Sequence, residues 1–169
     1  MKKVVLAIAV VFALAMSQNI FAQQVPVTAN INAKGTVITH ITVTSTSDLD
    51  FGDDLIAGIA TTVDKTASNA GKFVLAGQRN RQMNIAFTLP SNLLNGAYTM
   101  PISFTSTDAG FKTSGSQITA FNPASGSNAT FGSDGTMEVY LGGKVTPSQT
   151  QEAGQYTAPV TITLQYTTN

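Results

Sequence analysis

Four aspartates crowd into the stretch DLDFGDD: Asp48, Asp50, Asp53 and Asp54. Carboxylates this close together on a loop are the donors a hard cation such as calcium takes. The stretch lacks the distal glutamate of the helical calcium loop, so the plainer alternative is a turn ringed by solvated carboxylates. These aspartates are the only candidate metal ligands. The chain has no cysteine and a single histidine, which excludes thiolate sites and histidine clusters.

Other reactive side chains are sparse. His40 would be the only base for a Ser-His-acid triad. Alternation puts it on a row with Thr42 and Thr44, opposite Val37, Ile41 and Val43, which is a solvent-facing position. The sequence contains no G-x-S-x-G, phosphate loop or H-E-x-x-H. Arg79 and Arg81, in GQRNRQ, fall on a turn where they could meet an acidic partner or a glycan, or simply be solvated. Asn128-Ala129-Thr130 is a formal glycosylation sequon. No catalytic residue and no cofactor site is expected, and the protein is not expected to be an enzyme.

The elements that would carry these residues are preceded by a different kind of segment. Lys2 and Lys3 form a basic start, Val4 to Ala15 is an unbroken apolar run, and Ala22 precedes Gln23. This pattern predicts a secretory signal peptide over residues 1–22, cleaved before Gln23. A membrane anchor is the competing reading, but the run is shorter than the roughly 20 residues a spanning helix needs. The remainder, 23–169, is the length of one ordinary domain. Removing Lys2 and Lys3 from nine basic residues leaves seven against nine acidic ones. That balance gives no basic patch for nucleic acid. The chain is expected to be secreted, to the periplasm or the cell surface, with no membrane span after cleavage.

Periodicity of two recurs along the mature chain. Val25, Val27, Ala29, Ile31 and Ala33 alternate with polar residues, as do Val37 to Val43. Short strands are predicted over 59–63, 72–76, 83–89, 98–104 and 137–141, with loops at 77–80 and 93–96. Gly142-Gly143 should break or bulge its strand. Residues 106–135 are rich in Ser, Gly, Asn and Thr and read as a long decorated loop or a loose hairpin, anchored by Phe111, Ile118, Phe121 and Phe131. The end of the chain alternates longest: Tyr156, Ala158, Val160, Ile162, Leu164 and Tyr166 are apolar, with mostly polar residues between them. Many short strands with one apolar face each predict an all-β antiparallel sandwich. Helical periodicity is absent from the mature part.

Four features in order carry a resemblance. They are LDFG (Leu49 to Gly52), Gly96-x-Tyr98-x-Met100, Leu141-Gly-Gly-Lys-Val145, and Gly154-Gln-Tyr156-Thr followed by V-x-I-x-L-x-Y from Val160 to Tyr166. Over about residues 27 to 166 the chain resembles a secreted bacterial β-sandwich family catalogued as a domain of unknown function, number forty-four zero-two. That family is similar in turn to the spore-coat-U-like and chaperone–usher pilin group, whose sandwiches look immunoglobulin-like but lack their last strand. In that group a neighbour's chain end fills the groove by β-strand addition. The resemblance implies that Phe51 anchors in the core, Gly52 permits a turn and the aspartates are solvated. Gly154 and Tyr166 stand where such pilins carry a glycine and a near-terminal tyrosine. Three residues follow Tyr166 where one is usual, and the disulfide of many pilins is missing.

The expected function is therefore a secreted structural or adhesive protein, a fimbrial or pilin-type surface subunit able to self-assemble by strand addition. The strand-pairing residues would be Val25, Val27, Ala29 and Ile31 at one end, and Tyr156, Val160, Ile162, Leu164 and Tyr166 at the other. The segment 25–33 would complete its own sandwich or enter a neighbour's groove. Two alternatives stand beside this one: a monomeric extracellular domain recognising a glycan or protein through loop 106–135, and a secreted hydrolase.

Overall fold

The computed structural model describes residues 28–167. The signal segment 1–22, Val25 and Val27 lie outside the described residues. Among the described residues, 37–167 form one compact unit, divided from the chain up to Thr36. In the latter, residues 28–36 carry no strand and are exposed throughout. The strand expected over 25–33 is thus not formed at Ala29 or Ile31, and Ile31 is 94% exposed. Alternation sets which side chains share a face but supplies no partner edge. Ala29, Ile31 and Ala33 alone offer little apolar surface to bury.

The compact unit is an all-β antiparallel sandwich of twelve strands. In chain order they are β1 Thr42–Ser47, β2 Thr61–Val63, β3 Gly71–Ala76, β4 Gln82–Thr88, β5 Asn92–Asn95, β6 Tyr98–Ser103, β7 Ala109–Lys112, β8 Thr119–Phe121, β9 Ser127–Thr130, β10 Thr136–Leu141, β11 Gly143–Val145 and β12 Thr161–Tyr166. They form a five-stranded sheet in the order β1-β3-β10-β7-β8, a four-stranded sheet β2-β11-β6-β5, and a three-stranded sheet β12-β4-β9.

The main core lies between the first and third sheets. Leu75, Met137, Val139 and Leu141 from one meet Met83, Ile85 and Ala129 from the other, with Phe131 beside them. Each of these residues points inward because its strand alternates, which is what a sheet solvated on one side requires. A smaller core gathers Met100, Ile102 and Val145, with Leu49 and Phe104 packed against both.

One strand path crosses from sheet to sheet at Gly142. A Cβ there would meet the Val63 carbonyl at 2.4 Å and the Lys65 amide at 2.7 Å. Only glycine lets the two backbones approach so closely, so β10 ends at Leu141 and β11 resumes at Gly143 in another sheet.

Three stretches differ from their sequence reading. Leu93 to Gly96, expected as a loop, holds β5, which pairs with β6 through Asn95↔Tyr98 around a two-residue turn. Gly96 takes a φ of 59° at the first of the two turn positions, Gly96-Ala97, where a two-residue hairpin favours glycine. Residues 106–135, read as a decorated loop or a loose hairpin, hold an antiparallel hairpin of β7 and β8 and, beyond that reading, a further strand β9. Their phenylalanines hold those strands down: Phe121 and Phe131 are buried and Phe111 packs against the same core.

The closing strand is the third. It was expected as one element from Tyr156 to Tyr166, but the regular strand covers only Thr161–Tyr166 and pairs with β4, Leu164 opposite Ile85. Thr157 pairs separately with Leu94 of β5, exchanging bonds of 2.9 and 3.0 Å. Pro159 on this chain and Pro90 on its partner fall within the interruption, and neither has an N–H to give a ladder. Even so, Tyr156, Ala158, Val160, Ile162, Leu164 and Tyr166 are all half-buried and the residues between them all exposed. The period of two survives the break in pairing.

Candidate strand-accepting groove

Each of the three sheets ends in two edge strands: β1 and β8, β2 and β5, β12 and β9. β1 bonds only to β3, and β12 only to β4. Five of the six residues of β1 are exposed, and Val43, on the row that alternation marks as apolar, is 46% exposed. Of that row only Ile41 packs on the main core. β12 shows the matching deficiency, since its inward residues Ile162, Leu164 and Tyr166 are only half-buried. The facing sheets leave these two strands partly uncovered.

A groove of about 1090 Å³ lies along this side. One wall is built by Ser45 and Ser47 of β1 and by the turn that follows; the other runs from Gly154 to Val160. Phe73, Leu141, Leu93, Met100 and Ile102 line its apolar part. The volume is at the top of the roughly 300–1,000 Å³ range of small-molecule pockets and suits a length of chain better than a compact ligand. Tyr156 and Val160, predicted as pairing residues, both line it.

The acidic turn stands in the same groove. Asp48, Asp50 and Asp53 lie on one side and Glu152 on the other, and no lysine, arginine or histidine is among the lining residues. Asp50 is committed to shaping the turn: its Oδ1 accepts the Gly52 amide at 2.8 Å, and Gly52 has a φ of 87°. The Asp50 backbone amide donates to the Asn69 carbonyl at 2.9 Å, and its carbonyl accepts Asn69 Nδ2 at 2.7 Å. Phe51 packs against the smaller core, and Asp48, Asp50, Asp53 and Asp54 are exposed. The described residues contain no group of three or more His, Cys, Asp or Glu able to hold a metal ion.

The other candidates are scattered. His40 is exposed on the irregular approach to β1. Arg79 is exposed, whereas Arg81 turns inward and its Nη2 donates to the Thr167 carbonyl at 3.3 Å. On the outer face of the five-stranded sheet Glu138 bridges Lys72 at 2.7 Å and Lys112 at 3.1 Å. The Tyr140 hydroxyl also donates to Glu138, and both ammonium groups lie 5.5 Å from the Tyr140 ring centroid. Lys72, then the Tyr140 hydroxyl, then Lys112 hold the Glu138 carboxyl down at about 2, and Glu138 in turn raises Lys72. This is a cross-strand charge network that ties β3, β10 and β7 together. Sequence reasoning did not find it, because it depends on the order of strands in the sheet.

No helix among the described residues is long and apolar enough to cross a membrane. No curated protein matches the sequence. A family model described as a domain of unknown function, DUF4402, matches residues 41–166, which is β1 through the last residue of β12 and takes in the groove. The chain belongs to the DUF4402 family.

Proposed function

We propose that the protein is an exported, non-enzymatic structural or adhesive subunit of fimbrial type, joined to its neighbours by β-strand addition. The observation that carries this reading is the groove of about 1090 Å³ beside the edge strand β1, whose other wall, Gly154 to Val160, leads into the edge strand β12. An added strand would satisfy the open backbone groups of an edge and cover Val43, Val160 and their neighbours at once. The exposed segment from residue 28 to 36 has the alternation such a strand needs, with Ala29, Ile31 and Ala33 on one face. An immunoglobulin-like, pilin-type relationship and a location at the cell surface belong to this proposal.

The rival recognition surface at 106–135 has less to offer, because Phe111, Phe121 and Phe131 are spent on the core. The test is sedimentation of the chain, expressed at full length and purified as the cell processes it, across a range of concentrations. A ladder of species that grows with concentration supports the subunit reading. A monomer at every concentration favours the self-contained binding domain.

A further inference from the structure

We propose that Asn95-Gly96 is a self-modification site: the Gly96 backbone nitrogen displaces ammonia from the Asn95 carboxamide, and water opens the resulting cyclic imide to aspartate and isoaspartate. The inference stands on the β5–β6 hairpin and is independent of the strand-addition reading.

Asn95 is the only asparagine of the chain followed by glycine. A glycine has no Cβ to keep its nitrogen away from the preceding side chain. Asn95 ends β5 and pairs with Tyr98, so Gly96 takes the first turn position, exposed and at a φ of 59°. Among the described residues no hydrogen bond holds the Gly96 amide or the Asn95 carboxamide. That carboxamide lies against Gly154, and its Nδ2 fills the space a Cβ there would need. The one Asp-Gly pair, Asp134-Gly135, could form the same imide but is built the opposite way. The Asp134 oxygens accept the Thr136 amide at 2.9 Å and the Thr136 hydroxyl at 2.7 Å, and the Gly135 amide donates to the Gly132 carbonyl at 3.0 Å. Both reacting groups are engaged there, and both are free at Asn95-Gly96.

The step balances with water as the only co-reactant. The Gly96 nitrogen gives up its proton and bonds to Asn95 Cγ, the Cγ–Nδ2 bond breaks, and Nδ2 leaves with that proton as ammonia. Water then cleaves one of the two imide carbon–nitrogen bonds. Cleavage at Cγ gives aspartate, and cleavage at the Asn95 main-chain carbonyl gives isoaspartate. Either product adds a negative charge beside Gly154, in the groove wall that also carries Glu152. Isoaspartate also lengthens the main chain by one carbon at a turn of two residues, which works against the Asn95↔Tyr98 register.

The test is peptide mapping of the processed chain, aged folded in mildly alkaline buffer and, in parallel, unfolded in urea. In urea both Asn95 and Asp134 should convert. In the folded chain Asn95 should keep a rate within about fivefold of its urea rate, while Asp134 falls more than about tenfold below its own. Both aspartate and isoaspartate should form at Asn95, as only the imide route gives. Gly96→Ala should slow conversion of Asn95 about tenfold or more, and the urea arm reads that effect apart from any change in the hairpin. A folded-state rate at Asn95 suppressed as strongly as that at Asp134 overturns the proposal, because the fold then protects both pairs. A Gly96→Ala chain that converts as fast as wild type in urea overturns the role of the Gly96 nitrogen.

Discussion

The phenolic oxygen of Tyr166 donates a 2.7 Å hydrogen bond to the carbonyl of Thr39, 127 residues earlier in the chain. The same oxygen accepts the Gln78 amide at 2.7 Å. One hydroxyl thereby ties the end of β12 to the approach to β1 and to the turn after β3.

Tyr166→Phe keeps the ring against Phe131, whose centroid is 6.3 Å away, and removes only the oxygen. It should lower stability by about 1–2 kcal/mol, since the Gln78 amide loses its acceptor. Urea denaturation checks this: the midpoint should fall while the slope stays the same.

Leu164→Asp places a carboxylate on the inward row of β12, opposite Ile85 and against the main core. The expected loss is about 2–4 kcal/mol, because a charge there has no partner. A melting temperature equal to that of wild type would contradict the strand assignment.

Gly142→Ala should be costly and Gly35→Ala nearly silent. The first forces a Cβ to 2.4 Å from the Val63 carbonyl, while the second meets nothing within 4 Å. Differences of about 2 kcal/mol or more for the first and under about 0.5 kcal/mol for the second are expected from thermal melts.

Acid should act through Glu138. Its carboxyl is depressed from 4.5 to about 2 in the folded protein, chiefly by Lys72. A carboxylate lowered on folding contributes stability that is full above its unfolded pKa and lost as pH falls through the folded one. Wild type should therefore weaken between about pH 4.5 and 2, and Glu138→Gln should flatten that part of the profile. Identical acid limbs in the two proteins would count against the network.

Much of this architecture was legible in the residues. The alternation from Tyr156 to Tyr166 marks the half-buried row correctly, and Lys72 to Ala76 and Met137 to Leu141 lie within β3 and β10. What failed did so for identifiable reasons. In 106–135 the hairpin alternative held for β7 and β8, while the polar composition of Ser127 to Thr130 left too little periodicity to mark β9. Gly96-Ala97, with glycine at the first turn position, is a two-residue hairpin turn that was read as part of a loop. The clean alternation at Ala29 and Ile31 predicted a strand that the chain does not form by itself, since pairing needs an edge as well as a pattern. The groove was not visible at all in one dimension: Asp48, Met100 and Val160 share it only once three sheets are in place.

The account turns on whether the N-terminal segment of one molecule enters the groove of another, and the absence of cysteine makes a covalent trap clean. Chains carrying Ala29→Cys, Ile31→Cys or Ala33→Cys would each be mixed with a chain carrying Ser47→Cys, on the β1 wall of the groove, under mild oxidation. The account predicts a disulfide-linked pair of different chains for at least one mixture, absent when Ser47→Cys is mixed with wild type. Only unlinked chains across all three mixtures, or links formed only within one chain carrying both substitutions, would contradict it.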